Sequence, residues 1–216
     1  MRHICSRTLR KRLIRVLWRL AHRPWFYANP LARAALWTAV ARDIDAEWGT
    51  GDGDYCAIGE VIASIRARRV LDVGCGSGRL FPLYASAGVL EVVGQDIARS
   101  ALRLCRRRTR SFMVKLTALP VHRLRYPDGH FDLAICNRVL QHIPSSEIEK
   151  AVRAICRMSK AVYVNELAAT DAVAEDVYMV LHDYDSLMGR CGYTLARTGQ
   201  IGAQTWRLYR PSRNGM

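Results

Sequence analysis

The feature that most constrains this chain is the run Val70-Leu71-Asp72-Val73-Gly74-Cys75-Gly76-Ser77-Gly78-Arg79-Leu80. An apolar, β-branched segment carries an acid, three glycines then alternate, and a helical pattern follows. Such a pattern is a buried strand turning sharply into a helix, with the turn stripped of side chains so that a ligand can lie against the backbone. Several kinds of nucleotide site share a glycine-rich turn of this sort. The dinucleotide pattern G-x-G-x-x-G, started at Gly74, would need a third glycine at position 79, where the chain has Arg79. The spacing is instead Asp-x-Gly-x-Gly-x-Gly.

From Tyr55 onward, strand and helix signals alternate, which predicts a mostly parallel sheet covered on both faces. The patterns place strands near 69–73, 91–96, 111–116, 131–136, 160–166, 193–198 and 204–210. Helices are expected near 56–67, 79–87, 98–108, 146–158 and 172–190, with Ser146 and Glu149 as a capping box for the 146–158 helix. A short turn around Gly199 and Gly202 makes the last strand antiparallel.

Several separate pieces resemble the class I methyltransferases that use S-adenosylmethionine, over about residues 56–210. The Asp72 to Gly78 turn is similar to that family's cofactor motif. Val92-Val93-Gly94-Gln95-Asp96 looks like its second strand, and Asp96 lies 22 residues beyond Gly74. A carboxylate there can accept hydrogen bonds from two vicinal ribose hydroxyls at once. Tyr126-Pro127-Asp128-Gly129-His130-Phe131-Asp132, then Leu133 to Asn137, resemble the family's turn and fourth strand. Val139-Leu140-Gln141-His142-Ile143-Pro144 matches the V-L-x-H-I-P segment that follows.

The resemblance implies an α/β fold: a doubly wound, seven-stranded, Rossmann-like methyltransferase sheet. It implies S-adenosylmethionine as cofactor, with Asp72, Gly74, Gly76, Gly78, Asp96, Thr117 and Asn137 around it. Asp72 is suited to the cofactor's ammonium. The family commonly has an Asp-Ala pair after its third strand to bind adenine, and counting back from Phe131 places Pro120-Val121 there. Thr117 or backbone groups are then left to recognise the base.

The sulfonium already activates the methyl, so such a protein aligns an acceptor and excludes water. A hydroxyl acceptor usually needs a base. His142 follows the fourth strand at the mouth of the expected site, and an imidazole titrates near neutrality. Packing of the neighbouring helix is its alternative role. Glu166, at the end of the fifth strand, is a second catalytic candidate, and Glu166 with Asp183 would suit magnesium better than zinc. The Asn-Pro-Pro-Tyr segment of enzymes that methylate amide or base nitrogens is absent, Cys136-Asn137-Arg138 standing in its place. The expectation is O-methylation of a small molecule, a sugar or another polyhydroxylated natural product. RNA, a membrane-associated lipid, or a SAM-binding protein without turnover are the alternatives.

Residues 1–54 form a basic, aromatic helical arm or lid and residues 55–216 the methyltransferase domain, the break being set at Gly49 to Asp54. The 216 residues carry a formal charge of +14, and residues 1–23 hold eight Lys/Arg and no acid. Leu9, Leu13, Val16, Leu17 and Leu20 fall at helical spacing among those cations, and Asn29-Pro30 opens a second helix. Such an arm suits a lid against the domain, a homodimer contact, an anionic membrane surface or nucleic acid. It lacks the uninterrupted apolar core of a signal peptide, and no apolar run approaches the roughly 20 residues of a membrane span. Seven scattered cysteines without a C-x-x-C pair fit reduced thiols. The expected location is the cytoplasm, with a peripheral membrane position as the alternative.

Overall fold

Strand β1 (Arg69–Val73) is apolar on both faces and buried from Val70 onward. A strand of that kind belongs in the middle of a parallel sheet with helices on either side. The computed structural model describes residues 13–47, 52–108, 113–167, 179–202 and 204–212. Its other strands are β2 (Glu91–Gln95), β3 (Met113–Thr117), β4 (Leu133–Asn137), β5 (Val162–Glu166), β6 (Tyr193–Ile201) and β7 (Gln204–Pro211). All seven form one sheet in the order β3-β2-β1-β4-β5-β7-β6. The first five are parallel, and β7 runs antiparallel to both β5 and β6. The expected doubly wound sheet with an antiparallel last strand is therefore what the chain forms.

Alternation along the strands sends side chains to opposite faces. Leu71, Val73, Ala134, Cys136, Val162 and Val164 join one core, which α7 (Ser145–Met158) and α8 (Tyr184–Gly189) cover. Val70, Val92, Leu133, Ile135 and Tyr163 join the other, beneath α4 (Asp52–Ile65), α5 (Phe81–Ser86) and α6 (Arg99–Arg108). The arm has a third, small core of its own. Residues 13–21 form α1, followed by α2 (Pro24–Ala28) and α3 (Pro30–Glu47), packed around Ala21, Phe26, Tyr27, Leu36 and Val40.

Three local expectations change and one holds. The capping box is not formed: α7 starts at Ser145 after Pro144, without a side-chain cap, because the proline already ends the preceding turn. Asn29 does cap α3, its Oδ1 accepting the N–H of Leu31 and Ala32 at 2.9 and 3.2 Å. The break placed at 49–54 is shorter, since Asp52 to Asp54 are already the first turn of α4. The helix expected at 172–190 is the six-residue α8; residues 168–178 lie outside the described ones, as do 1–12 of the arm and 48–51 of the break.

Chain order reverses between β1 and β4, so the crevice at the carboxyl edge opens there. Asp72, Thr117, Asn137 and Glu166 lie at or near the carboxyl ends of four strands, and Asp96 follows a fifth.

Candidate active site

The three glycines of the turn all have left-handed backbones, with φ of +67° at Gly74, +55° at Gly76 and +78° at Gly78. Their surroundings differ. A Cβ on Gly74 would lie 2.3 Å from Val139 Cγ2, and one on Gly78 2.7 Å from the Cys105 sulfur. Those two glycines let the turn after β4 and helix α6 approach. A Cβ on Gly76 would meet nothing within 4 Å. Open space over a left-handed backbone is where a ligand can lie against the main chain.

A cleft beside this turn is lined by Asp72, Gly74, Cys75, Arg79, Leu80 and Asn137. Asp72 is buried against the Tyr84 hydroxyl, in contact with it but short of regular hydrogen-bond geometry, and among the described residues no other donor satisfies its Oδ2. Burial pushes the Asp72 carboxyl up to about 7, and the charge of Asp96 adds to this, while Tyr84 and Arg79 pull the other way. A buried acceptor left unmatched by the protein costs free energy that a ligand donor would recover.

Asp96 has a double role that sequence reasoning did not foresee. Its Oδ2 accepts the Gly76 N–H at 2.9 Å and its Oδ1 the Ala98 N–H at 2.7 Å, so it holds the glycine turn in place. Burial raises its carboxyl and the two N–H donors partly reverse this. A carboxylate has about four lone-pair sites, so two remain for hydroxyl donors.

Thr117 ends β3 opposite Gln95, and Pro120-Val121 lies in the loop that follows, at the start of a 3-10 turn at Val121–Arg123. Thr117 Oγ1 accepts the Leu119 N–H at 3.3 Å, and buried Gln95 donates to the Leu119 carbonyl at 2.9 Å. The loop expected to face adenine is thus tied down by Gln95, a residue the sequence reading passed over.

At the ends of β4 and β5 a buried polar cluster has formed. Asn165 Nδ2 donates to Asn137 Oδ1 at 2.8 Å and to Asp54 Oδ1 at 3.0 Å. Asp54, almost wholly buried, pairs with Arg138 at 3.1 Å, and Arg138 Nε donates to Gln204 at 2.9 Å. Arg138 has φ of +58°, unusual for a residue with a side chain. That backbone turns the N–H groups of Val139, Leu140 and Gln141 toward Glu166, which accepts them at 2.6, 2.8 and 3.4 Å.

Glu166 ends β5 as expected, but its oxygens are already engaged. It is fully buried, both oxygens are taken by backbone donors, and burial raises it to about 7 despite them. It anchors the turn that carries His142 and does not face an acceptor. Asp183 caps α8 through Ser186, at 3.0 Å, so neither acid is available to the other as a magnesium ligand. Among the described residues no cluster of three His, Cys, Asp or Glu side chains forms a cation site.

His142 ends a 3-10 turn at Leu140–His142, half-buried beneath the arm. Its ring centroid lies 4.7 Å from that of Trp37, and its Nε2 is 3.4 Å from Gln141 Nε2. The Tyr27 hydroxyl donates to the His142 carbonyl at 2.8 Å. Arg33 pairs with Glu147 at 2.6 Å with its own side chain only 7% exposed, while also holding the Tyr27 carbonyl at 2.7 Å. His182 Nε2 meets the Ile143 carbonyl at 2.9 Å. Tyr27, Arg33 and Trp37 thus fasten the arm over the candidate base. Their aromatic and basic character was visible in the sequence, but their target was not.

Residues 70–161 match the family model described as methyltransferase domain. The chain is 34% identical over 114 residues to the ubiquinone biosynthesis O-methyltransferase of Bordetella avium, which covers 51% of this chain and 47% of that protein. The protein of the same name from Alkalilimnicola ehrlichii is 34% identical over 110 residues, covering 50% and 42%. The chain spans about half the length of the curated relatives it matches. Among solved structures, a Burkholderia thailandensis 1,6-didemethyltoxoflavin-N1-methyltransferase superposes with a TM-score of 0.67 at 17% identity, over 88% of this chain and 90% of that one. An amino pentose methyltransferase from Micromonospora echinaspora gives 0.66 at 15%, over 80% and 97%. At these identities the solved structures establish a shared fold.

Proposed function

We propose that this chain, whose residues 70–161 match a methyltransferase domain, is a class I S-adenosylmethionine-dependent methyltransferase that methylates a hydroxyl group of a small molecule. The observation that carries the reading is the cleft at the glycine turn. It combines open space over Gly76, a buried Asp72 oxygen in no regular hydrogen bond among the described residues, and spare acceptor capacity on Asp96. Asp96 would take the ribose hydroxyls, and Asp72 and Arg79, on opposite sides in charge, suit an amino acid's ammonium and carboxylate. When bound, S-adenosylmethionine supplies a methyl group already activated by its sulfonium.

The chain's own work is positioning, proton removal and exclusion of water. Glu166 fixes the 139–141 backbone, Gln141 sits beside the imidazole, and His142 accepts the acceptor's hydroxyl proton as its oxygen is methylated. The arm roofs this region through Tyr27 and Trp37. The flat ring of Trp37 beside His142 suits a planar, largely apolar acceptor. Together with the O-methyltransferase names of the curated relatives, this favours an aromatic ring hydroxyl over the sugar hydroxyl expected from sequence.

The test is methyl transfer from labelled S-adenosylmethionine into a fractionated extract, with mass spectrometry of the product. A labelled phenolic methyl ether is expected. Label in an amine or in RNA, or no turnover from a protein that binds the cofactor, would overturn the hydroxyl reading.

A further inference from the structure

Four of the eight strongly exposed large apolar side chains among the described residues fall within residues 13–31: Leu13 at 55%, Val16 at 50%, Trp25 at 68% and Leu31 at 82% exposed. The arm does not need them for its own fold. On α1, Ile14, Leu17, Trp18 and Ala21 already face the arm's core. Leu20 packs there too, whereas Leu13 and Val16, at i and i+3, share the opposite, exposed flank. Arg15 and Arg19 occupy the rest of the turn surface, and both are exposed. Trp25 and Leu31 continue the exposed apolar character onto α2 and the start of α3.

Apolar side chains interleaved with arginine, in a segment whose first 23 residues hold eight cations and no acid, match an anionic interface with an oily layer behind it. We propose that the outer face of the arm seats on an anionic lipid bilayer, with Leu13, Val16, Trp25 and Leu31 entering the headgroup boundary and the arginines meeting lipid phosphates. A nucleic acid would use the cations but would leave three aliphatic side chains in water, since only Trp25 can stack on a base. A second copy of the same face would oppose cation to cation. Because the arm's inner side holds His142 through Tyr27 and Trp37, docking brings the candidate site to the membrane surface, within reach of an amphipathic acceptor. The lipid contact itself does not depend on the methyl-transfer reading.

The test uses the full chain and vesicles of phosphatidylcholine, with and without phosphatidylglycerol. Sedimentation should show binding to the anionic vesicles at low salt at least about tenfold stronger than to neutral ones. The double variant Val16→Ser/Leu31→Ser keeps every charge and should bind about tenfold less. Brominated lipid should quench tryptophan fluorescence in the wild type, and Trp25→Phe should remove most of that quenching. Unchanged melting temperature and cofactor binding establish that these variants are folded. The proposal falls if the wild type ignores anionic vesicles, or if the serine double variant binds like the wild type, which would make the contact purely electrostatic. It also falls if RNA binds at low salt while vesicles do not, or if ultracentrifugation finds a dimer that Val16→Ser/Leu31→Ser dissociates and no lipid binding.

Discussion

The Tyr27 hydroxyl donates a 2.8 Å hydrogen bond to the backbone carbonyl of His142, joining residues 115 positions apart. The bond ties the arm to the turn that presents the candidate base, next to the Trp37–His142 ring contact. Tyr27→Phe keeps the buried ring and deletes only the donor. Its stability cost should be about 0.5–1.5 kcal/mol. Turnover should fall several-fold with cofactor affinity unchanged, because the cofactor cleft at the glycine turn is not touched. Calorimetric titration beside steady-state rates checks the split; equal loss in both would make Tyr27 a general structural residue.

Gly74 and Gly76 share a left-handed backbone, yet their alanine variants should differ. Gly74→Ala places a methyl 2.3 Å from Val139 and should disrupt packing between the turns that follow β1 and β4, with a large fall in melting temperature. Gly76→Ala meets open space and should cost only about 1–2 kcal/mol, the ordinary penalty of that backbone for an L-residue. Its main effect should be weaker cofactor binding. Differential scanning calorimetry with and without the cofactor separates the two.

The parts legible in sequence were those fixed by local chemistry. The glycines, the β-branched runs and the acids at strand ends each need only their neighbours in the chain, and β1, β4 and β5 fall within about two residues of their expected limits. What depends on distant contacts was not legible. Glu166 read as a free catalytic acid because nothing nearby shows that Arg138's left-handed backbone would turn three N–H groups onto it. The course of the loop after Thr117 was not legible either, because the 3-10 turn at Val121–Arg123 has no strong local signature. Arg33 carries no local mark of its buried pairing with Glu147, 114 residues away.

Asp96→Ala removes both a ligand acceptor and the clamp on Gly76 and Ala98. Cofactor binding should weaken by about 1.5–3 kcal/mol, the range for hydrogen bonds to a charged group, and the melting temperature should fall as well. Asp96→Asn, which can still accept one of the two backbone bonds, should recover part of the stability and less of the binding. An unchanged affinity in calorimetry would remove Asp96 from the cofactor site.

Asp72 gives the cleft a pH dependence of definite sign. Its carboxyl is raised from 3.8 to about 7 by burial, so the free folded protein holds a proton that the unfolded chain has lost across that window. Stability from this group therefore declines as pH rises from 3.8 to about 7 and is level above. Glu166 adds a trend in the same direction. Cofactor binding should run the opposite way. An ammonium beside Asp72 favours the carboxylate, so affinity should rise toward pH 7, with proton release visible as a buffer-dependent calorimetric enthalpy. Asp72→Asn should flatten the affinity profile and abolish the release. If the variant keeps both, another group titrates.

His142→Ala tests the reaction class directly. A base acts on the acceptor proton in the transition state, so turnover on a hydroxyl acceptor should fall by about 10²–10⁴-fold. Cofactor affinity should stay constant, because the cleft lined by Asp72, Gly74 and Asn137 lies at the glycine turn and not at His142. The arm must remain seated for the comparison to be fair. The Tyr27 bond goes to the His142 carbonyl, which alanine keeps, although the ring contact with Trp37 is lost. His142→Gln fills more of the ring's space without supplying a basic nitrogen, and it should be about as inactive as alanine. If glutamine restores turnover, His142 packs the arm and does not take the proton. His182, held against the Ile143 carbonyl at 2.9 Å, would then be the next base to test.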